Sequence, residues 1–177
     1  MINEAIELCK LAHKTQVRKY TNEPYWLHCR EVAFLVEAVG GTEEMICAAW
    51  LHDTVEDTPI TLADIEVEFG EKVASLVEML TDVSKPEDGN REVRKAIDRA
   101  HSMKASPEGK AVKLADLISN STSIARYDKD FAVVYMREKE LLLPHLYWSN
   151  DVCDHATLFT MAERILKRYR ENHGTRI

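Results

Sequence analysis

The run Trp50-Leu51-His52-Asp53-Thr54-Val55-Glu56-Asp57-Thr58 sets an imidazole beside a carboxylate within an otherwise apolar, helix-patterned stretch. Ala48, Ala49, Trp50, Leu51 and Val55 bracket the polar groups, so the segment reads as part of a buried helix rather than a solvated face. If the run is one helix, Glu56 and Asp57 fall one turn beyond the pair, beside Asp53. An imidazole and carboxylates gathered in this way attract a divalent cation.

Outward from that run, apolar residues recur at helical spacing almost everywhere, as in Ile6, Leu8, Cys9, Leu11, Ala12 and again in Val32, Ala33, Leu35, Val36, Val39. The pattern predicts helices over about 2–15, 28–39, 43–57, 61–68, 71–81, 90–104, 107–121, 128–147 and 154–171. The stop signals agree: Gly40-Gly41 suits a helix C-terminus, Thr58-Pro59 breaks the next helix, and Thr61 with Asp64 forms a capping pair. Ser106-Pro107 reads as an N-cap followed by proline in the first turn. Asp82 to Asn90, containing Pro86 and Gly89, is the clearest loop and a candidate mobile lid or rim. The expectation is a compact all-α fold occupying residues 1–177 as a single domain.

The 177 residues suffice for one sizeable core, and 45% hydrophobic with 30% charged residues is ordinary for a folded soluble protein. No apolar run approaches the roughly 20 residues that span a bilayer. The acidic Glu4 and Glu7 do not suit a secretory leader, so a cytoplasmic protein without membrane partners is expected. Cys9, Cys29, Cys47 and Cys153 form no C-x-x-C pair and read as buried free thiols. A net charge of −7 argues against a nucleic-acid polymer as partner. No Lys or Arg occurs between Arg30 and Lys72, while Glu43, Glu44, Glu66, Glu68 and Glu71 add to the acidity around His52 and Asp53. Such a block is commonly a solvated face, yet it surrounds the groups that would welcome a cation.

Two further residues give the His52-Asp53 pair weight. His28 follows Pro24-Tyr25-Trp26-Leu27, and Asp116 stands in the apolar stretch Val112-Lys113-Leu114-Ala115, where a carboxylate is costly unless paired or coordinated. Taken alone, Asp116 reads better as a structural group bonding a helix terminus. His13, His101, His145, His155 and His173 lack ligand-like spacing and read as core or surface histidines. Arg18, Lys19, Arg91, Arg94 and Lys95 are the cations available to meet substrate phosphates, with Arg94 and Lys95 better explained as a solvated face.

In order along the chain stand Arg18-Lys19 through Pro24-Tyr25 to His28, Leu51-His52-Asp53-Thr54-Val55-Glu56-Asp57-Thr58, Thr61 to Gly70, and Lys113-Leu114-Ala115-Asp116 through Asn120. This series resembles the HD-domain phosphohydrolases, within them the hydrolase domain of RelA/SpoT proteins and the stand-alone small alarmone hydrolases. The resemblance runs from Ala12-His13 to at least Leu146. It implies the compact HD-domain helical fold and one divalent metal ion, manganese with iron or zinc as alternatives, on His28, His52, Asp53 and Asp116. It further implies Glu56 and Asp57 as the catalytic acidic pair that positions and activates water. Arg18, Lys19, Arg91, Asn120 and Tyr135 become substrate-binding positions, Tyr135 only across a gap.

The implied activity is removal of the 3′-pyrophosphate from guanosine tetra- or pentaphosphate, giving GDP or GTP, with no room for a synthetase region after Ile177. The chain departs from the family pattern at Cys29, where proline is usual, at Ser119, where His or Tyr is usual, and at Leu117 and Thr122, where cations are usual. Those last two departures keep open a phosphatase acting on another nucleotide, a deoxynucleoside monophosphate or the 2′-phosphate of NADPH. A non-catalytic nucleotide-sensing domain with a structural metal is the third reading. The oligomeric state is not written in the sequence.

Overall fold

A computed structural model describes residues 1–148 and 152–173. Its helices are α1 (Ile2–Ala12), α2 (Trp26–Ala38), α3 (Glu43–Leu51), α4 (Thr54–Asp57), α5 (Leu62–Phe69), α6 (Glu71–Leu80), α7 (Arg91–Ser102), α8 (Pro107–Tyr127), α9 (Lys129–Leu146) and α10 (His155–His173). Pro86–Asp88 adds one 3-10 turn. Among the described residues the only strand-like pairing is an isolated bridge from Val17 to Pro24, so the fold is all-α as the periodicity predicts.

Local chemistry explains most of the boundaries. Thr61 accepts from the Asp64 amide while the Asp64 carboxylate accepts from the Thr61 amide, a reciprocal cap that starts α5. Ser106 caps α8 through the Gly109 amide, with Pro107 in the first turn. After α2, Gly40 takes φ +76°, and the Gly41 and Gly40 amides donate to the Val36 and Glu37 carbonyls at 2.9 and 3.0 Å. This is a Schellman ending, and the left-handed position favours glycine.

Three expectations are corrected. The 43–57 segment is not one helix: α3 ends at Leu51, and His52 and Asp53 form the joint before α4. The His52 ring explains part of the break, because its Nδ1 takes the Ala49 carbonyl at 2.8 Å, in the turn where the helix would otherwise continue. Second, α8 continues past 121 to Tyr127, with the Thr122 hydroxyl satisfied by the Ile118 carbonyl in its own helix. Third, Asp82–Asn90 is a tethered rim. The buried Asp98 carboxylate accepts from the Val83 and Ser84 amides and from the Ser84 hydroxyl.

The long α8 runs through the middle of the bundle, packed by α2, α3, α6, α9 and α10. Leu51, Met45, Val32, Leu76, Leu114, Leu117, Met136 and Leu158 are essentially inaccessible and form a continuous core. Each such side chain contributes about 1.5–3 kcal/mol of burial free energy, which fixes α2, α3 and α8 against one another. No helix among the described residues is long and apolar enough to cross a membrane. All four cysteines are free; Cys9, Cys29 and Cys47 are buried and Cys153 is half-buried.

Candidate active site

His28 on α2, His52 and Asp53 at the joint after α3, and Asp116 on α8 converge where those three elements meet. His28 Nε2 lies 3.3 Å from Asp116 Oδ1 and 3.6 Å from Asp53 Oδ2; His52 Nε2 lies 3.0 Å from Asp53 Oδ2 and 3.7 Å from Asp116 Oδ1. The two rings meet edge-on, with centroids 5.2 Å apart.

The outer nitrogens settle which ring atoms face inward. His52 Nδ1 donates to the Ala49 carbonyl at 2.8 Å, which leaves Nε2 as the ring atom facing the two carboxylates. Ser119 spends its hydroxyl proton on Glu31 at 2.8 Å, so Ser119 Oγ accepts from His28 Nδ1 at 3.0 Å. Both Nε2 atoms are buried and lack a hydrogen-bond partner. Two orphaned nitrogens facing two carboxylates form a donor set that suits a divalent ion of intermediate softness. His28, His52 and Asp53 already bring ligand atoms within 4.8 Å of one another.

Electrostatics point the same way. Burial alone would raise the carboxyl pKa of Asp53 and Asp116, yet the imidazoles facing them, when protonated, hold both below the usual carboxylate range. The carboxylates in turn hold His52 above the usual imidazole range against its burial, so a divalent ion would take the place of ring protons. Tyr25 donates to Asp53 Oδ2 at 2.7 Å, and Asn120 Nδ2 donates to Asp116 Oδ1 at 2.6 Å. Arg18 Nη1 in turn reaches Asn120 Oδ1 at 3.2 Å, linking a cation to the cluster through one amide.

Glu56 and Asp57 sit on α4 at the mouth. Glu56 Oε2 accepts from the Asp82 amide at 3.2 Å, and partial burial together with the Asp82 carboxylate pushes its carboxyl up to about 7. Asp57 Oδ2 accepts from Gln16 Nε2 at 2.8 Å. Two hollows flank the mouth. One, about 520 Å³, is lined by Arg18, Phe34, Ser119, Thr122, Arg126 and Tyr127; the other, about 210 Å³, by Glu56, Asp82, Ser84, Arg91, Arg94 and Lys95.

The remaining sequence candidates stand further out. Lys19 is exposed and 3.6 Å from Asp128 Oδ2. Arg91 is held in a double hydrogen bond by Glu138, at 2.6 and 2.9 Å, above the Phe131 ring. Tyr135 is buried in α9 between Phe131 and the Lys139 ammonium. Arg94, read from sequence as a solvated face, is half-buried with an unpartnered Nε. Lys95 is likewise half-buried, with its ammonium between Asp82 and Asp98.

Several groups escaped the sequence reading. Lys113, one turn before Asp116, donates to the Leu80 carbonyl at 2.9 Å. Burial would lower its pKa, but Asp116, Asp82, Asp53 and Glu56 hold it charged. Its place in Lys113-Leu114-Ala115-Asp116 was a usable signal. Gln16 and Glu31 carried none, because their partners are set by packing between distant segments.

Fold and site together define a helical domain built around a candidate metal centre, and the chain belongs to the HD-domain family, whose model matches residues 5–130. The chain is similar to a guanosine-3′,5′-bis(diphosphate) 3′-pyrophosphohydrolase, MESH1, of Xenopus tropicalis: 37% identical over 132 residues, covering 71% of this chain and 70% of the relative. The Homo sapiens MESH1 is 36% identical, covering 70% and 69%. Matches to longer bacterial proteins are local: an Aquifex aeolicus pyrophosphohydrolase is 46% identical over 84 residues, which span 12% of that protein, and a Synechocystis relative is spanned over 9%. Among solved structures, a metazoan ortholog of SpoT that hydrolyzes ppGpp superposes with a TM-score of 0.82 at 26% identity, covering 94% of both chains.

Proposed function

We propose that this chain is a metal-dependent hydrolase that removes the 3′-pyrophosphate of guanosine tetra- or pentaphosphate, giving GDP or GTP. Residues 1–177 act as one HD phosphohydrolase domain. The reading rests above all on the two buried, unpartnered Nε2 atoms of His28 and His52 opposite Asp53 and Asp116. The relatives' stated substrate supplies the chemical identity. Free thiols agree with a cytoplasmic setting.

His28, His52, Asp53 and Asp116 would hold one divalent ion, with manganese favoured and iron or zinc as alternatives. Such an ion, when bound, lowers the pKa of water from about 15.7 toward 7 and draws charge from a phosphoryl oxygen. The protein groups then divide the remaining work. Asp57, steadied by Gln16, orients the attacking water, and Glu56, poised near neutrality, takes its proton. Water adds to the phosphorus attached to the 3′-oxygen, the bond to that oxygen breaks with release of pyrophosphate, and the proton is delivered to the departing 3′-oxygen, which becomes the hydroxyl of GDP or GTP. Arg18 and Asn120 meet the ribose side. The 520 Å³ hollow beside Arg18 takes the nucleoside, and Arg94 with Lys95 faces phosphate in the smaller one.

The test is the product formed with manganese from guanosine tetraphosphate. Pyrophosphate and GDP are expected, whereas orthophosphate alone from every nucleotide tried overturns the assignment. A phosphatase on another nucleotide is the second reading, favoured by Leu117, which is buried in the core, and by Thr122, which bonds its own helix, so neither position offers a cation. Orientation of the ligands gives a further check. Ser119→Ala removes the acceptor for His28 Nδ1, and metal affinity should fall about 10–100-fold in a competition titration with the fold intact by circular dichroism. Unchanged affinity would mean that Ser119 does not orient the ring.

A further inference from the structure

Behind this site lies a second group of metal-type donors, composed of Cys9 and His13 from the C-terminal end of α1 and Cys29 from α2. Cys9 and His13 are one helical turn apart and so share a face. All three residues are essentially inaccessible, and their donor atoms lie within 4.8 Å of one another. The neighbouring Cys9 thiol and burial push the Cys29 thiol well above its ordinary value.

The tautomer of His13 is the second, independent observation. Its Nδ1 donates to Gln16 Oε1 at 2.6 Å, an oxygen that can only accept. That leaves a lone pair on Nε2, which is buried and has no hydrogen-bond partner. A buried imidazole nitrogen without a donor is costly in an apolar core, and the sequence expectation of a satisfied core histidine is not met.

We propose that Cys9, His13 and Cys29 form a second metal site, specific for a thiophilic divalent cation of the zinc type. Three of the four ligands that such an ion usually takes are in place. Three donors no more than 4.8 Å apart all lie within about 2.8 Å of a common point, so shifts of up to about 0.5 Å at sulfur and about 0.8 Å at nitrogen reach Zn–S and Zn–N bond lengths of about 2.3 and 2.0 Å. Two thiolates and one neutral imidazole balance the charge of a divalent ion, which makes the complex neutral in an apolar setting. The softer donors distinguish it from the imidazole-carboxylate site a few residues away.

The location gives the site a consequence. His13 holds Gln16, Gln16 holds Asp57, and the His13 ring packs 5.0 Å from Tyr25, which donates to Asp53. An ion here would clamp α1 to α2 directly behind the acidic groups. Because α1 covers the donors, the ion enters as the chain folds.

This proposal stands apart from the hydrolase reading, and its test does not use activity. The full chain is produced in cobalt-supplemented medium, cobalt(II) standing in for zinc, and its absorption spectrum is recorded with its cobalt content. Imidazole and carboxylate ligands give no thiolate-to-cobalt charge transfer in the near ultraviolet, so such absorption reports only the thiol site. Wild-type protein should show the band; Cys9→Ser should lose about half of it, and the Cys9→Ser/Cys29→Ser double variant all of it. His52→Ala should keep it. A wild-type protein that carries cobalt without the band overturns the site, as does a band that survives in the double variant.

Discussion

Asp116→Asn should abolish manganese-dependent turnover while leaving the helical fold in place. The carboxylate lies within 3.3 and 3.7 Å of the His28 and His52 Nε2 atoms, accepts from Asn120 Nδ2 at 2.6 Å, and sits near the charged Lys113. Neutralising it removes one of the two charges that balance a divalent ion, and it sets an amide group where Asn120 already donates. Removing a partner outside the ligand shell typically costs about 10–100-fold in metal affinity or activity, so loss of a ligand itself should cost more than about 10²-fold. Metal content by mass spectrometry and pyrophosphate release should fall together. If the variant binds manganese as tightly as the wild type, Asp116 is a structural carboxylate and the four-ligand reading is wrong.

Glu56→Gln should lower kcat by about 10²–10⁴-fold with metal content unchanged, the range expected for loss of a positioned general base. Asp57→Asn should do the same through loss of water orientation. The two differ in their pH behaviour. Glu56 is raised to about 7 by burial and by Asp82, then Asp53, against the lowering influence of Lys113 and of the bond from the Asp82 amide. Arg94 and Lys95 face the same hollow from α7. A base works deprotonated, so the rate should rise with pH up to about 7 and level off above it. In Glu56→Gln this inflection disappears. Asp82→Asn removes a nearby negative charge and leaves Lys95 and Lys113 less neutralised, and both changes favour the Glu56 carboxylate. The inflection therefore moves to lower pH in Asp82→Asn. An inflection that stays in place in both variants belongs to another group, such as metal-bound water.

The Cys29 position illustrates how a local departure acquires meaning. Against the family pattern, cysteine in place of proline after His28 reads as a small backbone change. In the folded chain its thiol neighbours Cys9 and lies within 4.8 Å of a ring nitrogen of His13. Ser119 behaves similarly. As a substitution for a larger residue it weakens the likeness to the family, yet its hydroxyl links Glu31 to His28 and orients the ring.

Helix order and most helix starts were legible in the sequence because apolar spacing and end signals act within a few residues, as the Thr61/Asp64 and Ser106/Pro107 starts show. The break at His52-Asp53 was not legible. It depends partly on a ring bonding back to Ala49, a choice that a periodic pattern does not reveal. The prolongation of α8 to Tyr127 escaped for a related reason, since polar Ser121, Thr122 and Ser123 are poor helix formers alone and are carried by packing.

For the candidate site, sequence alone determined the donor types: His28, His52, Asp53 and Asp116, with Glu56 and Asp57 beside them. Those choices are chemical, and residue identity records them. Only tertiary structure decided how the groups face one another. Packing of α2, α3 and α8 turns both Nε2 atoms inward, commits Arg91 to Glu138, half-buries Arg94 and hangs Asp57 on Gln16. Those contacts join residues far apart in the chain, and burial of the core between them is the force that sets the distances.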